Sequence, residues 1–241
     1  MMKLKIIFSY DGSKFLGSAT QPHKKSVQDA LQDALSHLGI FSSVLMASRT
    51  DKGVHASYAV ACVECGEHFR DLNYLKKQIN KFSHPFIHVK NLKIMPSNFE
   101  VRYDVKSREY RYIFYHGVYN PFLASYVHFY PFIDVLKADL VLQNFIGIKD
   151  FKFFCKSGGD NKTTIREIFL AKAYSYKDFT IFRFKANGFL RAQIRLMVAS
   201  VLKVLENKMS IEELKEQIEA KKQYNHFLAP PCGLYLSRIS Y

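Results

Sequence analysis

The chain has 241 residues, 48% of them apolar, and carries 35 Lys and Arg against 21 Asp and Glu, a formal charge of +14 at pH 7. That apolar content excludes a disordered chain, and the length suits one large domain or two small ones. The basic excess points to a polyanionic partner. The 15 Tyr and 21 Phe must mostly form core, but rings mixed with cations suit RNA, whose unpaired bases stack on aromatic side chains. No run approaches the ~18 consecutive apolar residues of a membrane span. Lys3 and Lys5 interrupt the first apolar run, and Asp11 ends it before a signal-peptide core could form. Of four cysteines, Cys62 and Cys65 make a C-x-x-C, but it lies in a strand-like run with no second pair at ligand spacing. No metal or redox centre is expected, and so few cysteines fit a reducing cytoplasm.

Lys3 to Tyr10 predicts a strand with a turn at Asp11-Gly12. Gly12 to Gly17 is no phosphate loop, since it lacks the Lys after the second Gly and no helix follows directly. Ser26 is positioned to cap a helix, with Asp29 three residues on. Val27, Ala30, Leu31, Ala34, Leu35 and Leu38 then form one apolar stripe that Gly39 ends. Two strand-like runs, 42–47 and 57–63, flank a polar loop. Asp71 can cap a second helix carrying Leu72, Leu75, Ile79 and Phe82 on its apolar face, and Pro85 forbids its continuation before a strand from Phe86 to Met95. The order strand, helix, strand, strand, helix, strand is the split βαβ, ferredoxin-like arrangement.

The polar loop is Ser48-Arg49-Thr50-Asp51-Lys52-Gly53-Val54-His55-Ala56. A loop with a single acid, held between two strands, is where a rigid scaffold presents a reactive group. Arg49, two residues before Asp51, favours the ionised carboxylate, and an ionised Asp is a candidate nucleophile or base. The plain alternative is a surface turn in which Asp51 and Gly53 serve only the turn.

In the second half, Phe99 to Tyr115 alternates: Tyr110, Tyr112 and Phe114 face one way, and Arg111, Ile113 and Tyr115 the other. Asp134 to Phe145 predicts a helix. Ile148 to Thr164 is a basic, Gly-containing loop whose Lys149, Lys152, Lys156 and Lys162 are candidate phosphate contacts. A strand pair (165–176, 179–186), a long apolar helix from Phe189 to Leu205, an acidic helix capped by Ser210 and a closing strand after Pro230-Pro231 complete the chain. Arg195, near the start of the long helix, is a candidate partner for Asp51 or a phosphate, or else a solvated arginine. The second half repeats the first in outline, and both halves are basic, so RNA would lie across a cleft between them.

These residues resemble the TruA-type tRNA pseudouridine synthase family. The loop matches its G-R-T-D-x-G-V-H-A signature, with Ser48 in place of the Gly. Tyr10, Asp11, Gly12, Phe15 and Gly17 match its opening motif, with Ser18-Ala19-Thr20-Gln21-Pro22 where a Trp-Gln pair is usual, and Val27-Gln28 match a V-Q at the first helix. Phe99, Arg102, Ser107, Arg108, Tyr110 and Tyr112 match its F-x-x-R and S-R-x-Y-x-Y elements. Gly147, Asp150, Phe151, Phe154, Thr164, Arg166, the Ala186-to-Leu190 run, Arg195 and Gly233-Leu234 with Leu236 match later motifs, with Gln193-Ile194 for Met-Val before the Arg.

The resemblance implies an α+β fold of two ferredoxin-like halves, divided as 1–104 and 105–241, with antiparallel and mixed sheets joined across a central active-site cleft. It implies a cytoplasmic, homodimeric isomerase that needs no cofactor or metal and converts uridine to pseudouridine at positions 38–40 of the tRNA anticodon arm. Asp51 would be the nucleophile and Arg49 its partner. Tyr110 would stack on the uracil or relay a proton through its hydroxyl. Arg166 and Arg195 join Lys149, Lys152 and Lys156 as RNA-contact candidates. Two rivals are a non-catalytic RNA-binding protein, against which the intact Arg49, Asp51, Tyr110 set argues, and an Asp-dependent nucleoside glycosidase, weakened by the lack of a partner acid.

Overall fold

The computed structural model of the chain describes every residue except 157 and 159–161. In chain order the elements are β1 (Met2–Tyr10), α1 (Val27–Ser36), β2 (Leu45–Met46), β3 (His55–Cys65), α2 (Leu72–Ser83), β4 (Ile87–Met95), β5 (Ser107–Tyr115), β6 (His128–Phe129), α3 (Val135–Gln143), β7 (Gly147–Asp150), β8 (Ile165–Tyr176), β9 (Phe179–Ala186), α4 (Gln193–Leu205), α5 (Ile211–Ile218) and β10 (Leu234–Ser240). They divide into two compact units, Met1–Lys106 with Tyr235–Tyr241, and Ser107–Leu234. The α+β reading holds. The chain from Tyr235 on belongs with the first unit.

The first unit has the expected β-α-β-β-α-β order. β1 lies between β3 and β4, antiparallel to both, and β2 pairs with β3. β10 runs parallel to β3 beside its start, Tyr235 opposite His55 and Leu236 opposite Ala56. α1 forms where its periodicity predicts. Ser26 Oγ accepts the Asp29 N–H at 3.1 Å and the Asp29 carboxylate accepts the Ser26 N–H at 3.1 Å, a cap contributing about 1 kcal/mol. Val27, Leu31, Ala34 and Leu35 are buried. Asp71 caps α2 through the Tyr74 N–H. Leu75 and Ile79 are buried as expected, but Phe82 turns outward onto the His37 ring, 5.0 Å between centroids, and Ser83 takes the buried position.

In the second unit β5, β9, β8 and β7 are neighbours in that order, each pair antiparallel, and β6 lies parallel on β5. The alternation of β5 is realised: Tyr110, Tyr112 and Phe114 are buried while Arg111 is exposed. Across the ladder Tyr110 faces Phe184 and Tyr112 faces Phe182, and Phe114 meets Phe182 at 4.9 Å, so this face is an aromatic core. On the other face, buried Glu109 is paired by Arg183 at 2.7 Å.

Two boundaries differ from expectation. Residues 148–150, the start of the expected basic loop, belong with Gly147 to β7, which is too short to display an alternation. The long helix begins at Gln193 rather than Phe189, because Ala192 sits at φ 60° and cannot continue a right-handed helix backward. The Gln193 side chain instead accepts the Leu190 N–H at 2.8 Å.

Candidate active site

The connection between β2 and β3 is eight residues long, 47–54, and its main chain is held on both sides of Asp51, at Thr50 and at Val54. The Thr50 N–H donates to Ser18 Oγ at 2.7 Å, the Ser18 N–H donates to the Thr50 carbonyl at 3.1 Å, and Thr50 Oγ1 lies 2.7 Å from the Tyr10 hydroxyl. Ser18 is fully buried and Tyr10 nearly so. After the acid, the Val54 N–H closes a turn onto the Asp51 carbonyl at 3.2 Å. Gly53 takes φ 79° there, the left-handed value that the third position of a type II turn demands.

Beyond the turn, Gly12 packs so closely that a methyl group on it would stand 2.0 Å from the Val54 carbonyl oxygen; no other residue fits. The Gly12 N–H then donates to His55 Nδ1 at 3.1 Å. The Asp11 carboxylate lies 3.4 Å from the same nitrogen. His55 is buried and stacked on Tyr235 at 4.7 Å. On the approach side Arg102 Nε donates to the Met46 carbonyl at 3.0 Å. Gln28 and Gln32 of α1 bind the carbonyl and N–H of Val44 at 2.8 and 2.9 Å.

The opening motif, the first turn of α1 and the 99–102 segment thus converge on one loop. Asp51 itself is half-buried and Arg49 exposed. A carboxylate carried on main chain fixed at residues 50 and 54 is pre-positioned, with little backbone freedom left to lose. Ser18 and His55 hold this geometry, and sequence reasoning gave neither a role. Ser18 is a small polar residue with no pattern of its own, and His55 had only its membership of the motif as a signal.

In the second unit Tyr110 is 7% exposed, with Phe189 edge-on at 5.4 Å and 87°. Two residues on, the Tyr112 hydroxyl donates to the Pro230 carbonyl at 2.8 Å and lies 3.0 Å from His128 Nδ1. Burial, aided by Cys232 and opposed by Arg195, drives the Tyr112 pKa far above the ordinary phenol range, and burial alone pushes His128 down. Arg195 is half-buried. Its Nε donates to the Ala229 carbonyl at 2.7 Å, and the Ala229 N–H returns to the Arg195 carbonyl at 3.1 Å.

Lys149 sits half-buried in β7, directly opposite Arg166. Lys152 and Lys156 are exposed. Lys152 lies over the Phe153 ring at 5.0 Å, and the Lys156 N–H binds the Arg191 carbonyl at 3.0 Å. Residues 157 and 159–161 of the expected basic loop lie outside the described residues. Arg166 Nη1 donates to the Thr163 and Ile165 carbonyls at 2.9 and 2.6 Å. Among the described residues no three His, Cys, Asp or Glu side chains are grouped to hold a metal ion, and no helix is long and apolar enough to cross a membrane. Cys62 and Cys65 are buried, and burial raises the pKa of both thiols.

The sequence model of the tRNA pseudouridine synthases matches residues 6–104 and 141–241, and the chain belongs to that family of isomerases. Relatives called tRNA pseudouridine synthase A extend over the full chain. One from Campylobacter jejuni is 77% identical over 241 residues, covering 100% of both chains. One from Wolinella succinogenes is 39% identical, covering 100% of this chain and 95% of its own. One from Helicobacter pylori is 35% identical, covering 100% of both.

Proposed function

We propose that this chain isomerises uridine to pseudouridine at positions 38–40 of the tRNA anticodon arm, with Asp51 as the nucleophile. The observation that carries the reading is the clamped Asp51 turn. Ser18 holds the Thr50 main chain and Tyr10 its hydroxyl, while Gly12, held by His55, packs on Val54, on both sides of a single carboxylate within the family's signature sequence.

The reaction breaks the bond between the ribose C1′ and N1 of uracil, turns the base, and forms a C1′–C5 bond. The proton displaced from C5 is balanced by one gained at N1, so mass is unchanged. No electrons pass to a carrier and no phosphoryl group moves, so the chemistry asks for a nucleophile, a held base and a proton relay. In this reading Asp51 is the nucleophile and Arg49 favours its ionised form. Tyr110 offers its ring to the uracil and its hydroxyl to the proton transfer. Arg195, Arg166, Lys149, Lys152 and Lys156 meet the RNA backbone. The enzyme acts as a homodimer in the cytoplasm.

The test is carbodiimide mapping of tRNA after incubation with the enzyme. New stops confined to positions 38–40 support the reading. Stops elsewhere, or none, overturn it.

A further inference from the structure

Arg108 and Arg166 come from different strands yet converge on one place. Arg108 of β5 faces Ala186 of β9, and Ala186 faces Ile168 of β8. Opposite residues in a ladder share a face, and so do residues two apart along a strand. Arg108, Ile168 and Arg166 therefore point to one side of the sheet, the side that also carries Tyr110. The turn after β9 lies between the two arginines. Arg108 Nη1 donates to the Asn187 carbonyl at 3.1 Å, and a methyl group on Gly188 would touch Arg166 Nε at 3.6 Å and Arg108 Nη1 at 3.9 Å. Asn187 is itself pinned to β8: its N–H donates to the Glu167 carbonyl at 3.1 Å, and its Oδ1 accepts the Glu167 N–H at 3.2 Å. The next ring, Phe189, stands edge-on to Tyr110.

Two guanidinium groups held over one glycine, with Lys149 directly across the ladder from Arg166, repel one another. Burial and the charge of Arg108 both lower the Arg166 pKa, against an opposing influence of Cys155, yet a guanidinium keeps its proton throughout. Lys149 also lowers the pKa of Glu219, whose main partner is Lys221. Gly188 carries no side chain, so an anion seated over its backbone would meet both guanidinium groups. A phosphate accepting charge-assisted bonds of about 2.7–2.9 Å on separate oxygens spans such a pair.

We propose that Arg108 and Arg166, seated over Asn187-Gly188, bind one phosphodiester of the RNA, the one flanking the uridine whose base lies against Tyr110. Arg108 and Tyr110 are two residues apart on one strand, roughly 7 Å, which is the scale of a nucleotide's own base-to-phosphate separation. The strand thus reads one nucleotide with two side chains, ring to base and cation to backbone. The inference rests on the reading that tRNA is the substrate, and it adds Arg108 and a specific phosphate to it.

The test places the change on the RNA, so that no loss can come from a misfolded protein. Anticodon-arm RNAs carry a single neutral methylphosphonate at each phosphate flanking the target uridine, and binding is measured with the wild-type protein and with Arg108→Gln and Arg166→Gln. Wild type should lose roughly tenfold or more in affinity at one of these phosphates, and each variant should be nearly indifferent to that same substitution. The proposal is overturned if wild type tolerates every flanking methylphosphonate, or if the RNA and protein changes multiply independently. Pseudouridine formation in the unmodified RNA is followed in parallel. Its absence with wild type would overturn the substrate reading itself, whereas its presence with no methylphosphonate effect removes only the phosphate site.

Discussion

The Asp51 connection and the 147–166 segment are both polar stretches joined to short strands, and they are built in opposite ways. In the first, contacts fall on either side of one acid: Ser18 on the Thr50 main chain and Tyr10 on its hydroxyl, the turn bond on Asp51, Gly12 on Val54. In the second, Asp150 is bound by Thr164 at 2.5 Å, which fixes the base of the segment, while Lys152 and Lys156 reach into solvent. The difference follows from what each would have to do. Bond-making tolerates little positional error, which a clamped backbone around the proposed nucleophile would serve. Attraction to a polyanion acts over a Debye length of about 8–10 Å and tolerates freely moving ammonium groups.

The largest effect that would sharpen this contrast belongs to Asp51→Asn. The amide keeps the shape and loses the nucleophile, so turnover should fall by several orders of magnitude while tRNA affinity stays within a few-fold; steady-state assays beside filter binding check both. Next comes Tyr110. Tyr110→Phe keeps the ring against Phe189 and should slow the chemical step about a hundredfold or more with normal binding. Tyr110→Leu should in addition lose about 1–3 kcal/mol of binding. Wild-type rates in both would return Tyr110 to the aromatic core as a packing residue.

Gly12→Ala should damage the clamp without touching RNA. A side chain 2.0 Å from the Val54 carbonyl oxygen forces a backbone shift costing about 1–3 kcal/mol. Urea melts should show that loss, and kinetics should show kcat reduced with tRNA affinity retained. Replacing Lys152 and Lys156 with Ala should act on affinity alone. The slope of log K against log salt should flatten by about 0.7–0.9 per lost phosphate contact. An unchanged slope would break the contrast from the other side.

The smallest effect concerns pH. Burial lowers the His128 pKa below its ordinary 6.5, so in the window below 6.5 the unfolded chain binds the extra proton and the folded one resists it. Stability from this group is present above 6.5 and falls as pH drops through the window. His128→Gln should flatten that part of a stability-versus-pH profile measured by denaturant melts.

Much of the fold was legible because its signals are local. The 26–39 stripe and its cap, the Ser210 cap, and the alternation of 110–115 are each contained within a dozen residues, and the structure realises all three. What escaped detection depends on distant partners. β10 pairs with β3 across a separation of 180 positions, and nothing in Leu234–Ser240 states which unit it joins. β7 exists because β8 lies beside it, and the start of α4 is set by one left-handed Ala192. Within the candidate site the motif loop was legible as a string, while its clamp was not. Ser18 acts through its hydroxyl and N–H on Thr50, and His55 acts on Gly12, 43 residues away.

The central claim is that the two segments divide the work, chemistry at Asp51 and attraction at the lysines. It is tested most directly by single-turnover pseudouridine formation with enzyme at saturating excess over tRNA, where binding defects no longer limit the rate. The Lys152→Ala, Lys156→Ala double variant should then match wild type, and Asp51→Asn should form no pseudouridine on that timescale. Product from Asp51→Asn, or a double variant that stays slow at saturation, would contradict the account.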